Sequence, residues 1–309
     1  MARSAAIRCM TGWKPEAIAV TPDIQAAEKS VAMSANGSSE TVSRAAKPRL
    51  SLGAVAIDTH SPAALIDDAI GHALQGKGTR QVATVNAQFY VLAQKHERFR
   101  ECLDRADYLC ADGMPIVWAC NRFGKTQVDR IAGVDLIERL CKRGAADGLR
   151  VYLLGGTPGA AEATARLLSQ RYPGVAIAGV NCPEIGFERR EESLRPVIDK
   201  IARARPQILF VGLGAPKQEL LIHDHIKPLR VPLAVGVGGS FEILSGVLER
   251  APLWMQASGL EWAFRLWQEP KRLWKRYLIG NVEFLWMIAK WRMRASPGFN
   301  YVESHASGA

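Results

Sequence analysis

Several polar residues come directly after short apolar runs, where side chains can meet a ligand. Thr84-Val-Asn86 could bond a sugar or a phosphate, although helix capping alone would explain Asn86. Asp112, in Ala111-Asp112-Gly113, could be a general base for a hydroxyl group, and Gly113 would allow close backbone approach. Capping of the helix predicted from Met114 is an equal alternative for Asp112.

Arg130 and the glycine pair Gly155-Gly156 are candidates for binding phosphate. Arg130 precedes a predicted loop, where it could hold a phosphate or orient the base, or be a solvated surface residue. Gly155-Gly156 opens a predicted helix, and glycines at a helix N-terminus form anion sites. The segment is not G-x-G-x-x-G and lacks the acidic partner expected about 20 residues later, which disfavours a dinucleotide.

Two further loops carry donors for phosphate or carbonyl oxygens. In Gly212–Glu219, which includes Gly214, the side chains of Lys217 and Gln218 can donate hydrogen bonds. Gly238-Gly239 permits a nest of backbone N–H groups for a diphosphate, or alternatively a tight turn against a helix. His223 and His225 would point in different directions on a helix, so a metal site is not predicted there.

The elements that must position these residues alternate between strand and helix. The predicted strands are Gln81–Val85, Tyr108–Ala111, Arg150–Leu154, Val175–Val180, Gln207–Gly212 and Leu233–Val237. The predicted helices are Phe89–Arg105, Met114–Phe123, Val134–Ala146, Ala160–Tyr172, Glu191–Arg205 and Glu219–Lys227. This alternation predicts an α/β fold, a Rossmann-like, mostly parallel sheet with helices on both faces. Ligands of such sheets bind beyond the carboxyl ends of the strands.

Composition divides the 309 residues into four parts. Residues 1–50 are rich in Ala and Ser and are predicted to be a poorly ordered tail. Residues 51–250 form the α/β core. Residues 251–295 are predicted to be a basic, Trp-rich helical appendage, and residues 296–309 a disordered tail.

Charge and cysteine usage limit the functional classes. The chain carries 40 Lys plus Arg against 30 Asp plus Glu, a net +10, which indicates an anionic partner. Between Arg265 and Arg294 there are eight basic and two acidic residues, more than half of that excess. The six cysteines form no C-x-x-C pair and are interpreted as free thiols of a reducing compartment. We expect neither a signal peptide nor a transmembrane helix.

Taken together, these loops resemble the WecG/TagA/CpsF glycosyltransferase family. The matching segments, in the family's order, are Thr84-Val-Asn86, Ala111-Asp112-Gly113, Arg130 with Gly133-Val-Asp135, Leu154-Gly-Gly156, Gly212–Glu219, Gly236-Val-Gly-Gly239, Arg250–Trp254, and Gly259–Trp262 with Arg265, Glu269-Pro270 and Arg272. Each is weak alone, but together they span roughly residues 51–290.

The resemblance implies an inverting, metal-independent enzyme without a cofactor. It would move a hexose or N-acetylhexosamine from a UDP-sugar to a polyprenyl-diphosphate-linked sugar during cell-surface polysaccharide synthesis. Asp112 would be the general base, and Thr84, Asn86, Arg130 and Gln218 would line the site. The appendage would supply arginines, with Arg265, Arg272 and Arg276 as the matching candidates.

The resemblance also implies a cellular location and binding partners for the protein. We expect a cytoplasmic protein held peripherally on the inner face of the cytoplasmic membrane, because the basic tail and its tryptophans suit an anionic lipid surface. Family members can self-associate, so a homo-oligomer is among the implied partners. Consistent with metal independence, no D-x-D occurs in the sequence.

Two other classes fit parts of the pattern. A nicotinamide-dependent oxidoreductase shares the alternating strands and helices, but the dinucleotide fingerprint is missing. A nucleic-acid-binding protein would explain the +10 charge and the tryptophans, but no nucleic-acid module is recognised, so no nucleic acid is expected as a partner.

Overall fold

The computed structural model describes residues 48–124, 127–294 and 301–303. The strands of this part of the chain are β1 (Pro48–Leu52), β2 (Val55–Asp58), β3 (Arg80–Val85), β4 (Tyr108–Ala111), β5 (Arg150–Gly155), β6 (Ala176–Asn181), β7 (Ile208–Gly212), β8 (Leu233–Gly236) and β9 (Tyr301–Glu303). Six of them form one parallel sheet in the order β4-β3-β8-β7-β5-β6. The predicted α/β, Rossmann-like class is therefore confirmed.

Helices cover both faces of this sheet. They are α1 (Pro62–Gln75), α2 (Ala87–Lys95), α3 (Glu97–Asp104), α4 (Met114–Phe123), α5 (Gly133–Gly144), α6 (Ala160–Arg171), α7 (Glu191–Ala204), α8 (Lys217–Leu221), α9 (Ser240–Leu244), α10 (Leu253–Ala257), α11 (Glu261–Gln268), α12 (Pro270–Trp274) and α13 (Gly280–Arg294). On one face, α1, α5 and α6 bury their apolar stripes against alternate residues of the strands. The opposite face is covered by α2, α3, α4, α7, α8 and α13.

All six predicted strands are present, with ends shifted by at most one residue. Their continuous apolar sequences are buried on both faces, as Ile208 to Val211 show with no exposed surface. The predicted helix Phe89–Arg105 is wrong as a single element, because extended backbone at His96 divides it into α2 and α3. The predicted helix Glu219–Lys227 begins earlier, as α8, and continues as a π-helical turn over Ile222–Ile226.

A hairpin and a helix before the sheet were not predicted from the sequence. β1 and β2 pair antiparallel, and α1 comes after them. The side chain of Ser61 accepts a hydrogen bond from the Ala64 N–H at the start of α1, and left-handed Gly76 ends it. Those capping signals were present in the sequence.

Strand register brings the carboxyl ends of neighbouring strands level. Val85 of β3 pairs with Ala111 of β4, and Gly155 of β5 pairs with Gly212 of β7. Val211 of β7 pairs with Gly236 of β8. The loops that carry the predicted site residues therefore leave the sheet at one common edge.

Residues 48–303 form one compact unit, so the helices after residue 250 pack as part of it. Phe284 and Ile288 of α13 are buried in the same cluster as α2, and the Phe284 ring meets Tyr90 edge-on at 5.2 Å. In contrast, Trp254, Trp267 and Trp286 are exposed. Within the described residues, no helix is long and apolar enough to cross a membrane.

Little of the predicted tails lies within the described residues. Residues 1–47 lie outside the described residues, and β1 already begins at Pro48, before the predicted boundary at residue 50. β9 lies within the segment predicted to be disordered, and it pairs antiparallel with β1. The hairpin leaves a strand edge with unpaired backbone groups, to which a short strand can add.

A buried ion pair ties the hairpin to the sheet. Arg49 donates to the Asp58 carboxylate at 2.7 Å and to the carbonyl oxygens of Ala106 and Asp107. The other Asp58 oxygen accepts from the Leu109 N–H of β4 at 2.8 Å. The Asp58 side chain is only 1% exposed, so these bonds must replace its water.

Asp58→Ala is expected to lower the free energy of unfolding by about 3–5 kcal/mol, because it leaves the Arg49 cation buried without its partner. Urea denaturation measures this difference. Asp67→Ala is the matched control, because Asp67 pairs with Arg143 at an exposed position and should change stability by less than about 1 kcal/mol. Equal effects of the two substitutions would contradict this account.

Candidate active site

Asp112 lies at the common edge, at the end of β4, the outermost strand on one side of the sheet. It comes directly after β4, and its N–H donates to the Val85 carbonyl at the end of β3 at 2.7 Å. Gly113, with φ 95°, is the N-cap of α4, and α4 has no side-chain cap. Capping by Asp112, the alternative left open by the sequence, is therefore wrong. Asp112 is partly buried.

Burial raises the pKa of Asp112 to about 6, since the ionised form loses hydration. The positive charges of Arg130 and Arg276 act in the opposite direction and favour ionisation. The carboxylates of Glu261 and Asp135 raise the pKa. A carboxyl group with a pKa near 6 is ionised at neutral pH and can still accept a proton efficiently.

Arg130 links the core to the appendage beside Asp112. Its guanidinium forms an ion pair with Glu261, the first residue of α11, and each side chain is 18% exposed. Ile131, next to Arg130, donates its N–H to the Ala111 carbonyl at 2.8 Å. Arg130 is thus a partly buried residue in an ion pair and not a solvated surface arginine.

Thr84 and Asn86 lie at the edge but use their oxygens within the protein. Thr84 is 4% exposed, and its hydroxyl donates to the Gly236 carbonyl at 3.1 Å. The side-chain oxygen of Asn86 accepts hydrogen bonds from the N–H groups of Gln88 and Phe89 and caps α2. The capping interpretation of Asn86 is confirmed, and its Cβ faces Gly113 beside Asp112.

Gln218 connects the two glycine loops. Its side-chain oxygen accepts from the N–H groups of Gly214 and Gly238, both at 3.0 Å. Its nitrogen donates to the Glu219 carboxyl at 2.6 Å. Gln218 is 1% exposed, so the structure gives it the role of holding the loops that line the site.

Glu219 beneath Gln218 is fully buried. Burial raises its pKa to about 8, which favours the neutral acid at pH 7. A side-chain carbon on Gly236 would lie 2.6 Å from the Gln218 nitrogen and 2.7 Å from the Glu219 oxygen. Only glycine therefore fits at the end of β8 above this pair.

The predicted anion site at Gly155-Gly156 is filled by the protein itself. The Gly156 N–H donates to the Gly212 carbonyl at 2.9 Å, and the Thr157 N–H donates to the Glu242 carboxylate at 2.8 Å. Both glycines have positive φ, 97° and 81°. They shape the turn between β5 and α6, and their backbone groups bind protein acceptors.

Lys217 and Gly239 have protein neighbours as well. The Lys217 ammonium lies 2.9 Å from the Glu188 carboxylate, with both side chains less than a quarter exposed. A side-chain carbon on Gly239 would lie 3.1 Å from the Arg265 guanidinium, so this glycine lets an appendage arginine approach the β8 loop. The backbone N–H groups of Gly214 and Gly238 also have a protein partner, the side-chain oxygen of Gln218.

The three appendage arginines form a cationic group over the edge. Arg265 lies 3.7 Å and Arg272 lies 2.6 Å from the Glu269 carboxylate that they share. Arg276 acts electrostatically on Asp112, which places its charge near the carboxylate. The fold therefore brings Arg265, Arg272 and Arg276 to the same edge as Asp112.

Several acidic residues that organise this edge were given no role on sequence grounds. Each of them pairs with a cation or accepts a loop N–H: Glu261, Glu269, Glu242 and Glu188. The first two stand in matched motifs, which was a usable signal. The ion pair of Glu188 with Lys217 could not be predicted from the sequence, because the two residues are separated by 28 others and meet only in the folded chain. In the described part of the chain, no three His, Cys, Asp or Glu side chains are grouped to hold a metal ion.

Comparison with known proteins shows which family the sequence matches. The sequence model described as "Glycosyl transferase WecG/TagA/CpsF family" matches residues 50–298. The chain is 34% identical over 204 residues to an N-acetylglucosaminyldiphosphoundecaprenol N-acetyl-beta-D-mannosaminyltransferase of Bacillus spizizenii, covering 66% of this chain and 76% of the relative. A Staphylococcus aureus protein with the same name is 32% identical over 213 residues, covering 68% and 79%.

The raised pKa of Asp112 predicts a pH-dependent effect on stability. Between the unfolded value near 3.8 and the folded value of about 6, the folded state binds more protons, so this group destabilises the fold as pH rises through that window. Asp112→Asn should therefore stabilise the protein at pH 8, and the gain should shrink at pH 5. Urea denaturation of both proteins at both pH values measures it.

Asp199→Asn is the control for this measurement, because Asp199 lies exposed on α7. It should change the free energy of unfolding by no more than about 0.5 kcal/mol at either pH. A gain from Asp112→Asn that is the same at pH 5 and pH 8 would contradict the assigned pKa direction.

Proposed function

The chain belongs to the WecG/TagA/CpsF glycosyltransferase family, and on that premise we propose that it transfers a hexose or N-acetylhexosamine from a UDP-sugar to a sugar on a polyprenyl diphosphate. The named relatives act on N-acetylglucosaminyl diphosphoundecaprenol and transfer N-acetylmannosamine. The acceptor class is carried over from them, and the donor class from the family.

The proposed reaction is a single displacement with inversion. Asp112 takes the proton of an acceptor hydroxyl while that oxygen forms a bond to the anomeric carbon of the donor. The bond from the anomeric carbon to the diphosphate oxygen breaks on the opposite face, and UDP leaves with the electron pair. No covalent enzyme intermediate is needed.

The observation that carries this proposal is the arrangement of charges around Asp112. A carboxylate with a pKa of about 6 stands at the carboxyl edge of a parallel sheet, with the Arg276 charge acting on it from the appendage. Arg265 and Arg272 lie at the same edge. Together they supply a base for the hydroxyl and cations for a diphosphate.

We infer that the enzyme works without a metal ion. Leaving diphosphates need positive charge, and guanidinium groups can supply it as bidentate donors. The absence of D-x-D from the sequence supports this proposal, since many metal-dependent transferases hold their nucleotide-sugar with that motif.

We further propose that the protein works on an anionic membrane surface at the inner face of the cytoplasmic membrane. The appendage exposes Trp254, Trp267 and Trp286, and Lys290 lies 4.7 Å from the Trp286 ring centre. Exposed aromatic and cationic groups side by side suit the lipid interface, where rings insert and cations meet phosphates. A lipid-linked acceptor would be reached from the same surface.

The first experiment measures UDP release from a panel of UDP-sugars with polyprenyl-diphosphate-sugar extract as acceptor. We expect one donor to turn over, and Asp112→Asn to lower kcat by about 10²–10⁴-fold, because the base is lost. The wild-type rate should fall as pH drops through about 6, where Asp112 becomes protonated. EDTA should leave the rate unchanged, and NMR of the product should show the inverted anomer.

Asp199→Asn is the matched control and should retain the wild-type rate. If no donor turns over, calorimetry with UDP-sugars decides whether the acceptor is missing or the donor class is wrong. An Asp112→Asn enzyme with full activity would remove Asp112 from the role of base. Loss of the rate in EDTA would contradict metal independence.

Membrane binding has its own test. Sedimentation with vesicles of phosphatidylglycerol and phosphatidylcholine should show binding that weakens as salt rises from about 50 to about 500 mM, because exposed charges are screened. Replacement of Trp286 by Ser should weaken binding more than replacement of Trp118, an exposed residue of α4 outside the appendage. Tight, salt-sensitive binding to RNA or DNA without vesicle binding would favour a nucleic-acid partner instead.

A further inference from the structure

An apolar groove of about 300 Å³ lies between the start of α4 and the appendage. Its apolar lining is Pro115, Trp262, Tyr277, Leu278, Val282 and Leu285, and Asn281 is the one polar residue of the lining. The rings of Trp262 and Tyr277 meet at 6.0 Å between centres. Leu278, Val282 and Leu285 are each at least half exposed, which is unfavourable for a surface that stays in water.

The groove lies next to the site of chemistry. Pro115 is three residues after Asp112, so their Cα atoms are separated by at most about 11 Å. On the other side, Tyr277 is the residue after Arg276, and the Arg276 guanidinium lies 5.5 Å from the Tyr277 ring centre. Arg276 is also the appendage cation whose charge acts on Asp112.

This order matches the order of groups along a polyprenyl-diphosphate-linked sugar. The sugar hydroxyl belongs at Asp112, the diphosphate next to the Arg276 cation, and an apolar chain begins directly after the diphosphate. We propose that the groove binds the first isoprene units of the acceptor, an inference that rests on the proposed function. The enzyme then binds the lipid chain itself as well as the sugar and its diphosphate.

The remaining chain has a continuous path away from the groove. Leu278 and Val282 also border a wide, open and mainly apolar surface with Ile279 and Trp286. The ion pair of Lys95 and Glu283 also lines this surface. Later isoprene units can run along this surface towards the lipid. A membrane acyl chain is a poorer occupant, because the groove residues Pro115 and Tyr277 are chain neighbours of Asp112 and Arg276, and an acyl chain has no diphosphate to place near these charges.

The test compares geranyl diphosphate with methyl diphosphate as ligands of the full-length protein in solution, without vesicles or detergent, by calorimetry. Geranyl diphosphate, with two isoprene units, should bind at least about tenfold more tightly, because its chain is removed from water. Leu285→Asn should abolish this preference and leave the affinity for methyl diphosphate unchanged. Sedimentation velocity and a thermal melt check that the variant keeps the wild-type mass and fold.

Leu253→Asn is the matched control, since Leu253 is an exposed leucine of α10 outside the groove, and it should keep the preference. Equal binding of the two diphosphates, or equal losses in the two variants, would overturn the proposal. So would competition by short-chain dihexanoylphosphatidylglycerol as strong as that by geranyl diphosphate, which would assign the groove to membrane lipid. A change of mass in Leu285→Asn with the preference retained would assign it to contact between copies.

This binding measurement is independent of the transferase assay. It contains no sugar donor and no acceptor sugar, so it can fail while UDP release succeeds. Conversely, a geranyl preference in a protein that neither turns over nor binds any UDP-sugar would leave the groove assigned and the donor class wrong.

Discussion

Removing the Asp112 carboxylate from water is unfavourable, and the positive charges of Arg130 and Arg276 partly compensate for this desolvation. Desolvation raises the pKa of Asp112 to about 6, and the charges of Arg130 and Arg276 limit the rise. These arginines come from different parts of the chain, one from the loop before α5 and one from the appendage. The electrostatics of Asp112 therefore depend on the docking of the appendage, and the Arg130–Glu261 pair is one of the bonds that fix it.

The loops at the sheet edge are held by bonds within the protein, which leaves little to reorganise when a ligand arrives. Gln218 holds two glycine loops through one oxygen, and Glu242 accepts the Thr157 N–H in the loop between β5 and α6. Several residues that attract attention as ligand donors are in fact supports for the loops. A polar group buried without partners would be costly, and the bonds of the Gln218 oxygen and of one Glu242 oxygen meet this requirement before any substrate binds.

The appendage combines two kinds of surface on one set of helices. Phe284 and Ile288 pack into the core, whereas Val282 and Trp286 on the same helix remain exposed. Helical periodicity separates these residues onto different faces of α13. The inward face fixes α13 against the core, and the outward face is exposed.

The sequence by itself determined the parallel sheet, because short apolar runs buried on both faces alternate with amphipathic segments. It also placed Asp112 and the glycine loops at the strand ends, since chain order fixes which residues come after each strand, and it placed Arg130 in a loop that leads into a helix. Only the tertiary structure decided which of these groups are used internally. The Gln218 and Glu242 bonds join segments distant in the chain, and so do the Arg130–Glu261 pair and the groove between Pro115 and Leu285. Such contacts depend on strand order and helix docking, which local residue patterns do not encode.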